Sequence, residues 1–130
     1  MSNHFLKVKE YLTELEYTLV HEDENDGLIV AESEENGIKN LVIGLADPIL
    51  IVERCIVELK NPSPAIYKDL LQKSRDIIHG AFVLDETGNK LIFRNTHELE
   101  NLDLNELEAT LNSLALLLGE YSEDIIKLSK

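Results

Sequence analysis

A single cysteine, Cys55, is all the chain carries. That excludes an internal disulfide and any zinc site built from several cysteines. Bases are scarce as well: 12 Lys and Arg face 25 Asp and Glu, a net charge of −13 at pH 7. A surface made to grip the phosphates of DNA or RNA needs clustered Lys and Arg. A surface made for anionic lipid needs them too. Neither nucleic acid nor membrane is therefore expected as a partner. Gly (6) and Pro (3) are too few for a flexible tether. Long apolar runs are missing. The longest apolar runs, such as 49–52 and 114–118, fall far short of the ~20 residues of a membrane span. Residues 1–12 carry charges at Lys7, Lys9 and Glu10 where a secretory signal would be apolar. The reducing cytoplasm is the expected compartment, in keeping with the lone thiol.

What remains is a globular composition. Of 130 residues, 44% are apolar and 28% charged, which fits one domain over 1–130 with a core of its own. Phe5, Val8, Leu12 and Leu15 step by 3, 4 and 3, the spacing of a first helix. Ser2 or Asn3 is its expected cap. Four strand segments follow at 17–22, 28–33, 38–45 and 49–59. They are separated by turn chemistry at Asp23–Gly27, Asn36-Gly37 and Asp47-Pro48. Asn61-Pro62-Ser63-Pro64 then places an N-cap and a first helical proline ahead of a helix over 64–79, with Gly80 to end it. A hairpin over 81–85 and 90–95 turns at Glu86–Asn89. The last helix carries Leu104, Leu107, Leu111, Leu114, Leu118, Tyr121, Ile125 and Leu128 at alternating steps of 3 and 4. Asp103 and Glu106 form a capping pair at its start. The order α-β-β-β-β-α-β-β-α is that of an α+β domain, an antiparallel sheet with helices on one face.

Motifs for chemistry are lacking. The four histidines show no helical metal pair, and His97-Glu98 has no second His at Asn101, so surface histidines are expected. The acidic loop 22–27 fails the calcium-loop offsets, with Ser33 at the twelfth place. Cys55, mid-strand, is expected to be a buried, inert thiol. No phosphate loop, dinucleotide fingerprint or nucleophile elbow occurs, and no carboxylate pair is singled out by its neighbours. No catalytic residue, metal or cofactor is expected. Charge is uneven: ten acids and no base lie over 10–38, and eight acids and no base over 97–126. This is a solvated face first, and a surface for basic segments second.

The strand 49–59 is apolar on both sides. Ile49, Ile51, Cys55, Val57 and Leu59 are assigned to the core. Leu50, Val52, Arg54 and Ile56 then lie on the open side, as a candidate partner-binding or dimer face.

The opening helix running into Glu16-Tyr17-Thr18, the acidic turn Asp23–Gly27, and the run Gly80-Ala81-Phe82-Val83-Leu84-Asp85-Glu86-Thr87-Gly88 together resemble the type III secretion chaperone-like fold. The pattern is closest to its YbjN-like branch, related to the Tir chaperone (CesT) group. Leu91–Arg94, Leu102-Asp103-Leu104 and the long leucine helix follow the same order, while Thr96-His97-Glu98 replaces the family's Leu-Pro step. The resemblance implies a small acidic non-enzymatic protein, usually a homodimer, that binds an extended client segment along apolar surface. The expected function is thus a chaperone-like or regulatory protein-binding module whose partner is a client or a second copy. The alternative is a small-ligand enzyme or hydrolase using cleft carboxylates.

Overall fold

The structure, a computed structural model, describes residues 2–130. The capping expected of Ser2 or Asn3 concerns side chains outside the described residues. Helix α1 (Ser2–Glu14) leads into β1 (Thr18–Asp23), β2 (Leu28–Ser33), β3 (Ile38–Ala46) and β4 (Ile49–Glu58). Then come α2 (Pro64–Ser74), β5 (Ala81–Leu84), β6 (Lys90–Glu98), α3 (Leu104–Glu120) and α4 (Ser122–Leu128). The strands form one sheet in the order β1-β2-β3-β4-β6-β5, and every neighbouring pair is antiparallel.

The turn residues act as their chemistry requires. Asp23 accepts a hydrogen bond from the Asp26 amide at 3.1 Å, and the Gly27 carbonyl accepts from Leu45 N at 2.7 Å, locking the acidic turn onto β3. At the β5–β6 turn, the Asp85 carboxylate accepts from the Thr87 hydroxyl at 2.7 Å and from Lys90 N at 3.2 Å. The Thr87 bond foremost holds that carboxyl below its ordinary pKa. Ser63 caps α2 by accepting from Ile66 N, and Asp103 caps α3 by accepting from Glu106 N at 2.7 Å.

Alternation puts Ile29, Ala31, Leu41, Ile43, Leu45, Leu50, Val52, Leu91 and Phe93 on one sheet face, all buried. Phe5, Val8 and Leu12 of α1, Leu70 of α2, and Leu107, Leu111 and Leu114 of α3 complete the same cluster. The leucine stripe of α3 is thus core packing. Among the described residues, no helix packs on the sheet's other face.

Two helices depart from the expected spans. α2 stops at Ser74, well short of residue 79, because its end is committed elsewhere. Ser74 Oγ accepts from Phe82 N at 3.0 Å, and Ser113 on α3 donates to the Ile78 carbonyl, so 75–80 runs as a strap between α2 and α3. Tertiary contacts override the helical spacing of Ile77 and Ile78. Gly80 therefore does not end the helix. It lies against Phe93, where a Cβ would fall 2.3 Å from the ring. The last helix is two helices broken at Tyr121, whose ring packs on Phe82 with centroids 6.1 Å apart. After the break α4 turns back to β4, where the Leu128 carbonyl accepts from Lys60 N at 3.2 Å.

Candidate functional site

Residues directly opposite each other in an antiparallel ladder share a face. The register therefore defines two rows on the uncovered side of the sheet. One runs His21, Val30, Val42, Glu53, Arg94, Ala81, and the next runs Asp23, Leu28, Gly44, Ile51, Thr96. Leu28, Val30, Val42, Ile51 and Ile92 are half-buried there by their neighbours alone. A Cβ added at Gly44 would meet nothing within 4 Å, so the middle of this face is open space over a low floor. The Arg94 guanidinium pairs with the Glu53 carboxylate across β4 and β6, beside the aliphatic middle of the face, while His21, Asp23 and Thr96 stand at the ends of the rows.

This reverses the expected roles of the two sides of β4. Leu50 and Val52 are fully buried and Ile56 is buried, all beneath the helices. Arg54 is half-buried at the end of that side. Its Nε donates to the Lys39 carbonyl at 2.8 Å, and its guanidinium also donates to the Cys55 carbonyl. A charged residue sits on the core side because backbone carbonyls there satisfy it. These four residues are therefore not an open partner face within this fold. Ile49, Ile51 and Val57, assigned to the core, are only partly buried, and Cys55 is an exposed thiol, not a buried one. Leu59 is buried because a register shift between Cys55 and Val57 breaks the alternation. The signal that could have shown this is Glu53. It alternates with Ile51 and Cys55, so the side of Ile49 and Ile51 holds a mid-strand acid.

A second apolar surface lies at the β5 edge. Tyr67, Leu70, Leu71, Phe82, Val83, Leu84 and Leu91 line a hollow of about 190 Å³ between α2 and β5. At its mouth Leu71 is 71% and Leu84 42% exposed.

His97 departs from the expected surface histidines. Thr110, fully buried on α3, accepts from Asn95 Nδ2 at 2.8 Å and has its Oγ1 2.8 Å from His97 Nε2. Thr110 thus joins Asn95 and His97 in one network at the sheet–α3 boundary. Burial foremost lowers the His97 pKa; His79 adds to this and Glu106 opposes it. A base whose folded-state pKa is depressed contributes stability above its unfolded pKa, and this is lost as pH falls toward the folded one. The urea midpoint should therefore decline from about pH 7 downward, starting near the ordinary histidine value of ~6.5. His97→Gln should remove that part of the slope; an unchanged slope in the variant would assign it to other groups.

Among the described residues, no three His, Cys, Asp or Glu side chains gather as a metal site, and no helix is long and apolar enough to cross a membrane. The family model CesT_Tir_1 matches residues 1–130. The chain belongs to the CesT_Tir_1 family. This membership supports the non-enzymatic reading over the hydrolase alternative. A search of curated sequences gave no match. Among solved structures, the chain is similar to a chain of the HopA1–SchA chaperone–effector complex, with TM-score 0.67 and 18% identity over 95% of this chain and 97% of that one. It is similar to YbjN from E. coli, with TM-score 0.62 and 13% identity over 92% of each. It is also similar to the Yersinia pestis type III secretion chaperone SycH, solved in complex with a stable fragment of YscM2. There the TM-score is 0.61, with 15% identity over 97% of this chain and 99% of that one. The α+β fold expected from the sequence, with its resemblance to secretion chaperones and YbjN, is the fold of this CesT_Tir_1 protein. It is a chaperone fold.

Proposed function

We propose that the chain works as a homodimeric chaperone-like protein, one domain over 1–130, that holds an extended segment of a client protein in the cytoplasm. The observation that carries this reading is the helix-free sheet face, with Leu28, Val30, Val42 and Ile51 around the open floor at Gly44. A row of half-exposed aliphatic side chains beside a glycine offers apolar contact and room for a strand-like segment. Self-association is supported at the other surface. Leu71 and Leu84 stand beside their own hollow, so two copies related by a twofold axis would each insert leucines into the partner's hollow. The solved complexes of similar fold, a chaperone with an effector and a chaperone with a fragment of another protein, support a protein client here. An exposed Cys55 stays a thiol in a reducing compartment.

The test separates the two surfaces. Light scattering after size exclusion should give a dimer for the wild type and a folded monomer for Leu71→Asp/Leu84→Asp. Ile51→Asp should leave mass and circular dichroism unchanged while the client recovered from extract of the source cells is lost. A monomeric wild type would overturn the dimer. A client retained in full by Ile51→Asp would overturn the sheet face as its site.

A further inference from the structure

A third surface is used by neither part of that reading. Between the strap 75–80 and α3 lies a hollow of about 270 Å³. Ile77, Leu117 and Tyr121 form part of its wall, and Ile78 and Leu116 stand on its lips, 70% and 69% exposed. Ser113, donating to the Ile78 carbonyl, ties the strap to α3 and fixes the spacing of the lips. Asp76 and Glu120 lie on the rim. The stretch 97–126, which contains all of α3, holds eight acids and no base.

We propose that this groove is a second client contact, and that it takes a large aliphatic or aromatic side chain flanked by Lys or Arg. The inference rests on the client-binding reading and adds the chemical class of the segment bound. Two exposed aliphatic lips over an apolar wall call for an apolar side chain. Asp76 and Glu120 beside them, on a chain of net charge −13, call for cations next to it. A second copy of this chain is a poor occupant, because twofold pairing would set the acidic rim against itself. The hollow is open at one side, so a side chain can enter while its backbone and flanking cations stay over the rim.

The experiment is selection of a random dodecapeptide phage library on the full-length protein, followed by fluorescence anisotropy of the recovered peptides. The peptides should be rich in Leu, Ile, Phe or Met next to Lys or Arg. Leu116→Ser/Ile78→Ser, both at exposed positions, should weaken binding at least about tenfold. Glu120→Lys should weaken it about threefold, with less effect in high salt. Peptides without basic enrichment, or bound equally by the Leu116→Ser/Ile78→Ser variant, would overturn the groove. If such peptides lose affinity on Ile51→Asp instead, the groove fails while client binding on the sheet stands. Recovery of no binding peptide would overturn both.

Discussion

Val52→Asp is expected to leave the chain unfolded. Val52 has no exposed surface and pairs with Ile43 on β3 and Asn95 on β6, at the centre of the core side of the sheet. A carboxylate there has no partner. Its uncompensated burial, added to the lost aliphatic packing, costs several kcal/mol. Total stability of a domain this size is about 5–15 kcal/mol, so one such change removes much or all of it. Ile51→Asp, one residue away, should keep the fold, because its side chain points to the uncovered face. Far-ultraviolet circular dichroism and urea denaturation of the two variants would decide the matter. A folded Val52→Asp with a collapsed Ile51→Asp would reverse the two faces of β4.

Gly80→Ala should be strongly damaging for a change of one methyl group. The backbone at Gly80 has φ of 153°, and an added Cβ would lie 2.3 Å from Cε1 and 2.5 Å from Cζ of Phe93. Phe93 is itself fully buried and has no room to withdraw. Overpacking and backbone strain together are expected to cost roughly 2–4 kcal/mol. Gly44→Ala is the control. Nothing lies within 4 Å of its added methyl, and replacing a strand glycine gains about 0.5–1 kcal/mol. Urea midpoints should move in opposite directions at unchanged m-value. Equal losses at both glycines would mean that backbone freedom, not contact with Phe93, governs position 80.

Where a local rule was enough, the sequence could be read residue by residue. Ser63-Pro64 and Asp103 start their helices as capping chemistry requires, and the leucine spacing of α3 faces the core. What could not be read depends on distant partners. α2 ends where Ser74 takes the Phe82 amide, a contact eight residues ahead, and the leucine helix breaks where Tyr121 meets Phe82. His97 becomes half-buried because Thr110 of α3 packs against it. The two sides of β4 are hard to tell apart by pattern, because both are rich in Ile, Leu and Val and because Arg54 has the character of a solvent residue. Its charge is met by carbonyls of Lys39 and Cys55, which pattern alone does not show. Pairing offered a better route. The turn at Asp47-Pro48 sets Leu45 opposite Leu50 and Ile43 opposite Val52, so the clear alternation of β3 settles that of β4.

The two outer strands of the sheet bear on how this chain meets others. At one margin β1 has a register shift between Leu19 and His21 and carries His21, Glu22 and Asp23, with Glu22 held by Lys9 at 2.7 Å. At the other, β5 is only four residues long and its Phe82 amide is already taken by Ser74. Bulges, charge and shortness are the features that keep strand margins from templating further strands. The central segment Ile49–Val52 would be a hazard for fibril formation if it lay at a margin. Held between β3 and β6, it is out of reach of another molecule's backbone. Growth by stacking strand upon strand is thus blocked at both ends, and recognition of other chains falls to side chains on the faces of the fold.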